Sequence, residues 1–175
     1  MTVANLLGMN EPTPRLRFVW HMVAQVVDEM EAELDRFLAD LEDRVLVRIK
    51  ATDGELSTEL KEALSRGIQA GVRDALARLR SQAALPHELP PELIELARLQ
   101  AGSRCDPGEF ADAWLVAQEV FWNRFALVAE LTLTDPARCR QVVRVARLQL
   151  SGHGARLSRL FRSVWEAENA RAAGT

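Results

Sequence analysis

The sequence predicts an all-α fold, a single helical bundle of about five helices with a long first and a long last helix. Apolar residues recur at intervals of three and four along most of the 175 residues, which is the spacing of a buried helical face. No run alternates apolar and polar residues for long enough to form a strand. A chain of this length buries roughly 70% of its unfolded surface, so folding needs neither a disulfide nor a metal.

The first helix is expected to begin at Thr13-Pro14, because threonine can cap the helix and proline at its first position has no amide to leave unpaired. An apolar stripe at heptad spacing then needs a partner helix, either from the same chain or from a second copy in a dimer. Residues 1–12 before this helix are expected to be flexible. The candidate dimer stripe consists of Leu16, Trp20, Val23, Val27, Met30 and Leu34, and Phe37, Leu41, Val45 and Ile49 prolong it.

The middle of the chain predicts two more helices. Asp53-Gly54 ends the first helical pattern, and a second helix runs to about Ser81. Three prolines, at positions 86, 90 and 91, delimit a loop before a short third helix from Glu92 to Leu99. The apolar face of the second helix consists of Leu64, Ile68, Val72, Ala75 and Leu79.

The fourth helix, from about Pro107, carries an aromatic face. Two interpretations stay open: a pocket for a small apolar effector, or packing in the bundle interior. Trp122 lies one residue beyond the stripe and is the better candidate for an interface. The residues of this candidate pocket or interface are Phe110, Trp114, Phe121, Trp122 and Phe125.

Thr134-Asp135-Pro136 predicts the start of the last helix, and residues 169–175 after it are expected to form a tail or the start of a linker. Gly152 and Gly154 lie within this helical pattern, and each costs roughly 1 kcal/mol relative to alanine. We therefore expect a kink or a close helix crossing there, and the two glycines are a candidate hinge.

The net charge of −3 hides an asymmetry between the two ends of the chain. Residues 1–65 carry 13 acidic and 7 basic side chains, a balance of −6, whereas residues 136–175 carry 8 arginines against Glu166 and Glu168, a balance of +6. An acidic first helix beside a basic last helix, within one chain or across a dimer, is the simplest interpretation. The basic stripe of Arg140, Arg144 and Arg147 is expected to face solvent or a partner, not nucleic acid.

The sequence offers no starting point for catalysis. It lacks a phosphate-binding glycine loop, a zinc-binding His-Glu-x-x-His segment and a Gly-x-Ser-x-Gly elbow, so we expect no enzymatic activity. Cys105, near the start of the fourth helix, is the nearest candidate nucleophile but has no identifiable base. The absence of a signal peptide, a Cys-x-x-Cys pair and an apolar run of roughly 18 residues predicts a cytoplasmic protein with free thiols, outside the membrane.

The order of elements over residues 30–168 resembles the helical N-terminal domain shared by PucR-like transcriptional regulators and the RsbRD-type co-antagonists of bacterial stress signalling. At the position where members of that family often have Tyr-Arg, this chain has Trp114-Leu115. The matching segments are Asp43-Arg44-Val45-Leu46-Val47-Arg48-Ile49, residues 60–79, Pro91-Glu92-Leu93-Ile94-Glu95-Leu96-Ala97-Arg98, Phe110-Ala111-Asp112-Ala113-Trp114-Leu115, and Phe121-Trp122.

The resemblance implies that residues 13–168 form a regulatory, sensory and dimerisation domain without a DNA-binding helix-turn-helix of its own. It implies a second copy, other signalling proteins or a separate C-terminal DNA-binding domain as partners. An RsbRD-like stress-signalling scaffold is one alternative. Because RsbR-type domains look like globins without haem, the other is a globin-like sensor of haem or a small ligand, with His153 or His21 as the haem ligand and His87 a poor one. No cofactor and no metal are expected otherwise.

Overall fold

The computed structural model describes residues 14–49, 56–82, 88–103 and 107–173. These residues form α-helices and no strand, which confirms the predicted all-α bundle. Asp53-Gly54, His87 and Cys105, which carried sequence predictions, lie outside the described residues. The six helices are α1 (Pro14–Ala32), α2 (Leu34–Arg48), α3 (Thr58–Ser81), α4 (Pro91–Ala101), α5 (Pro107–Thr132) and α6 (Pro136–Ala173).

The predicted long first helix is divided into α1 and α2 at Glu33, which leaves the helical conformation with φ −114° and ψ 20°. Neither proline nor glycine occurs at this point, so the local sequence does not require the break. α1 packs against α3, α5 and α6, whereas α2 packs mainly against α5. The Glu33 carboxylate also accepts a hydrogen bond from Arg124 of α5. Tertiary packing therefore accounts for the break.

The candidate dimer stripe lies in the core of its own chain. Trp20, Val23, Val27 and Met30 are buried. The two remaining members of that stripe, Leu16 and Leu34, are partly buried against the same core. The partner helices are α3, α5 and α6 of the same chain, so the prediction of a dimer interface along this stripe is corrected. Its continuation through Phe37, Leu41, Val45 and Ile49 is buried in the same way.

α3 and α4 form the side of the bundle that faces the C-terminal half of α6. The Ser57 hydroxyl caps α3 by accepting a hydrogen bond from the Leu60 amide at 3.2 Å. α4 begins at Pro91, and it packs against both α3 and α6. Gly67 of α3 allows a close approach of α4, because a Cβ atom there would lie 3.0 Å from a methyl carbon of Leu96.

α5 and α6 form a helical hairpin. The Asp135 carboxylate caps α6 by accepting a hydrogen bond from the Ala137 amide at 2.8 Å. α6 then continues for 38 residues, through Gly152 and Gly154, without an interruption. A Cβ atom at Gly154 would lie 2.8 Å from Nε2 of Gln118, the end of a long side chain on α5, so this side chain fills the space beside the glycine.

α1 does lie beside α6, but its acidic side chains pair elsewhere. Asp28 and Glu31 bind Arg80 of α3, the latter at 2.8 Å. These two acidic side chains of α1 therefore pair with a basic residue from the middle of the chain, not with the basic C-terminal helix. The stripe of Arg140, Arg144 and Arg147 is exposed on α6. Within the described ranges, no helix combines the length and the apolar character needed to cross a bilayer.

Candidate functional site

A cavity of about 470 Å³ lies between α2, α3, α4, α5 and α6. This volume is in the range of roughly 300–1,000 Å³ that is typical of small-molecule sites. α1 contributes no lining residue among those described. The aliphatic part of the wall consists of Leu41, Val45, Leu64, Ile68, Val72, Leu93, Leu96, Leu150 and Leu157.

Small residues on two facing helices create much of this space. Gly67, Gly71 and Ala75 of α3 line one side, and Ala113 and Ala117 of α5 line another. A Cβ atom added to Gly71 would meet no other atom within 4 Å, so this glycine borders open space. Helix propensity disfavours glycine at both positions of α3, since each costs about 1 kcal/mol relative to alanine. The glycine at position 67 allows close contact between α3 and α4, and the glycine at position 71 leaves space for the cavity.

Aromatic side chains form a further wall. Trp114, Phe121 and Trp122 of α5 line the cavity, together with Phe161 and Trp165 of α6. Three of the five predicted pocket residues are therefore at the site. A fourth, Phe125, is fully buried behind Phe121, with ring centroids 6.3 Å apart, and the side chain of Phe110 lies outside the described part.

Trp122 does not present a free surface for an interface. The guanidinium of Arg147 lies 5.5 Å from its ring centroid, and Phe121 contacts the ring edge-to-face. The side chain is also partly buried against the core. Trp122 therefore lies in the cavity wall, and its interface role stays a prediction.

Four side chains of the cavity wall carry buried polar atoms that have no hydrogen-bond partner among the described residues. The atoms are Oε1 of Gln100, Nε1 of Trp114, Nε1 of Trp165 and both ring nitrogens of His153. Gln100 and His153 are only 3% and 5% exposed. Leaving such a group unpaired costs roughly 1–3 kcal/mol, and native proteins contain few of them. Their concentration around one cavity points to a ligand that would pair them.

His153 is the titratable member of these four side chains. Its Nε2 is 3.3 Å from Oδ2 of Asp74, without the alignment of a hydrogen bond, and Asp74 accepts a hydrogen bond from Arg78 at 2.9 Å. Burial lowers the pKa of His153 below its ordinary value of 6.5, the Asp74 carboxylate opposes this shift, and the charge of Arg78 adds to it. The imidazole is therefore neutral near pH 7, with one nitrogen as donor and the other as acceptor.

His21, the other predicted haem ligand, is exposed on α1 and takes no part in the cavity. Within the described ranges, no group of three or more His, Cys, Asp or Glu side chains is arranged to hold a metal ion. Cys139 is buried in the hairpin, where its thiol contacts the carbonyl oxygens of Ala129 and Leu133 at 3.4 and 3.2 Å.

Gln100 and Trp165 were not predicted to be site residues. Gln100 follows the last apolar position of a short helix, where a polar residue usually faces solvent. Trp165 continues the apolar pattern of a long helix, so its spacing indicates only burial. Gly67 and Gly71 are the signal that could have been used, since two glycines one turn apart lower helix propensity without ending the helix.

Comparison of the chain with protein-family models, with curated proteins and with solved structures finds no match.

Proposed function

We propose that this chain is a non-enzymatic regulatory domain that binds a small, mainly apolar effector in the cavity lined by helices α2 to α6. The supporting observation is the convergence of four unpartnered polar side chains on one apolar cavity. Ordinary core packing would fill this space and pair these groups. The resemblance to PucR-like and RsbRD-type N-terminal domains favours the same kind of role, sensing without catalysis.

The proposed mechanism is a shift between two packings of α6 against α3 and α4. A ligand in the cavity contacts α6 from Leu150 to Glu166 and contacts α3 from Leu64 to Ala75. It can therefore stabilise one arrangement of these helices over another by its difference in affinity for the two. Gly152 and Gly154, next to His153, are the proposed hinge of α6, and the C-terminal end of this helix would carry the change to a partner.

Binding of the neutral dye Nile red tests the cavity. Gly71→Phe places a large side chain in open space, so we expect it to fill the cavity and to weaken saturable dye binding at least about tenfold. Ala77→Phe is the matched control, because it adds the same side chain to an exposed position of the same helix. Equal dye binding by the wild type and both variants would contradict the proposal.

A homodimer, or a complex with other signalling proteins, is also part of this proposal and rests on the sequence resemblance. Since the first-helix stripe is in the core, a dimer would have to use apolar side chains that are exposed elsewhere, such as Leu127 and Leu131 of α5. Light scattering of the purified chain over a range of concentrations tests this part. A monomer throughout would leave ligand binding as the proposed role.

A haem-binding sensor is the alternative that His153 supports, because this buried histidine lines the cavity. The residues fit a haem poorly, however. Oδ2 of Asp74 already lies 3.3 Å from the histidine Nε2, and a porphyrin ring offers no hydrogen-bond donor to Oε1 of Gln100. A spectrum after incubation with hemin tests the alternative, and a Soret band that His153→Ala abolishes would support it.

A further inference from the structure

We infer that the ligand of this cavity is an uncharged, rigid polycyclic compound that carries a carbonyl acceptor and a hydroxyl donor. This inference rests on the proposed function, since it names the chemistry of the ligand bound in the same cavity. Three observations support it: the hydrogen-bonding capacity of the unpartnered wall atoms, the lack of a buried counter-charge among the described lining residues, and the residue types of the walls.

The unpartnered atoms specify which groups a ligand must offer. The indole Nε1 atoms of Trp114 and Trp165 can only donate, so each needs an acceptor such as a carbonyl oxygen. Oε1 of Gln100 can only accept, so it needs a hydroxyl or another donor. A neutral His153 can supply either function. A purely hydrocarbon ligand would leave all four side chains unpaired.

Among the lining residues that the structure describes, none carries a buried charge that would balance an ionic ligand. The charged ones in that set, Arg162 and Glu166, lie one helical turn apart and are exposed and opposite in sign. At the inner end, a carboxylate on the ligand would approach Asp74, which lies next to His153. Burying an unpaired charge is far more costly than burying a neutral group, so an uncharged ligand is favoured.

The polar groups are spread along the cavity. His153 and Trp165 are twelve residues apart on α6, which is about 18 Å at the helical rise. Gln100 lies near the Trp165 end, because Arg98 of the same helix binds Glu168 at 3.2 Å. Trp114 lies one helical turn from Gln118, whose Nε2 would be 2.8 Å from a Cβ atom at Gly154, so Trp114 is placed between the two ends. The site therefore fits an elongated ligand with polar groups at separate points.

The walls also favour rings over a flexible chain. Among the described residues, five aromatic side chains line the cavity, together with small residues of α3 and α5. A rigid ligand loses little conformational freedom on binding, which raises its affinity for a preformed site. A hydroxyl group can donate to Gln100 and accept from one indole N–H while a carbonyl accepts from the other, so fused rings that carry these two groups suit the walls and pair these atoms.

Displacement of Nile red by two probes tests this ligand class. Testosterone is neutral and rigid and carries one carbonyl and one hydroxyl group, whereas palmitate is anionic and flexible. We expect testosterone to displace the dye at a concentration at least about tenfold lower than palmitate. Gln100→Leu should weaken testosterone about five- to tenfold more than it weakens the dye, because testosterone has a hydroxyl donor for Oε1 of Gln100 and the dye has no O–H or N–H donor. Trp165→Phe should weaken both compounds, since each offers a carbonyl oxygen to the indole N–H.

Trp20→Phe is the matched control, because it removes an indole N–H from a buried position on α1 outside the cavity, and it should leave testosterone binding unchanged. Tighter binding of palmitate, absence of testosterone binding, or insensitivity to Gln100→Leu would overturn the ligand class. If dye binding still responds to Gly71→Phe in those cases, the cavity remains a ligand site. If dye binding does not respond, the proposed function fails with it.

Discussion

The hairpin end of the bundle and its cavity end are built from the same two helices, α5 and α6, yet they differ in how completely they are packed. At the hairpin end, Phe125, Val128 and Val142 are buried, and the thiol of Cys139 has carbonyl partners. At the cavity end, Trp114 and His153 line open space with unpaired nitrogen atoms. One pair of helices can therefore form both a tightly packed core and, next to it, a cavity suited to a ligand.

The largest expected effect is at the hairpin end. Phe125→Ala should lower the free energy of unfolding by about 3–5 kcal/mol, because Phe125 is 0% exposed and its removal leaves a void. Phe161→Ala at the cavity end should cost less than half as much, since Phe161 is only partly buried and already borders open space. Urea denaturation of both variants measures the difference, and equal losses would break the comparison.

The next effect concerns pH and involves only the cavity end. Burial lowers the pKa of His153 relative to the unfolded chain, where the ordinary value is 6.5, so below that pH the unfolded state binds the proton more readily. The stability that the neutral imidazole provides is present above 6.5 and is lost as the pH falls towards the folded pKa. The nearby groups on α3 act in opposite directions, Asp74 raising the pKa and Arg78 lowering it.

His153→Gln should therefore reduce the fall in melting temperature between about pH 7.5 and about pH 5.5, because glutamine does not titrate. His21→Gln is the control, since His21 is exposed on α1, and it should leave the fall as it is in the wild type. Thermal unfolding followed by circular dichroism measures both variants. An unchanged pH dependence in His153→Gln would show that this histidine is not held neutral by burial.

A smaller effect separates the two glycines of α3. Gly71→Ala should stabilise the protein by about 0.5–1 kcal/mol, because the new methyl group enters open space and glycine disfavours the helix. Gly67→Ala should gain less or lose stability, since its Cβ atom would lie 3.0 Å from Leu96 and 3.2 Å from Leu93. Chemical denaturation measures both, and equal gains would mean that α4 yields easily at Gly67.

The smallest effect is expected on the surface. Arg66 of α3 and Glu95 of α4 form an exposed ion pair at 3.0 Å. A double-mutant cycle with Arg66→Ala and Glu95→Ala should give a coupling of about 0.2–1 kcal/mol, as for other exposed pairs. A larger coupling would mean that charge, in addition to the packing at Gly67, holds α4 against the bundle.

Periodicity and caps predicted most of the fold, because helix formation depends on local spacing that the sequence displays. Ser81 as the end of α3 and Pro136 as the start of α6 agree with the structure. The break at Glu33 could not be predicted, since it depends on contacts with distant helices. The stripe of α1 specified burial but not whether the covering helix belongs to the same chain.

The candidate site was predicted only in part. The aromatic spacing of α5 marked Trp114 and Phe121, but spacing does not distinguish a cavity wall from a filled core such as that around Phe125. Gln100 reaches the site through the packing of α4 against α6, which no local pattern encodes. Which polar atoms stay unpaired depends on the arrangement of five helices together.

Hydrogen–deuterium exchange with and without saturating Nile red distinguishes a packed core from a ligand site, because it reports local stability along the whole chain. We expect slower exchange in α3 and in the part of α6 from Leu150 to Glu166 when the dye is bound, and no change from Phe125 to Ala146. Uniform protection, or protection confined to the hairpin end, would contradict the division of the bundle into a packed core and a ligand site.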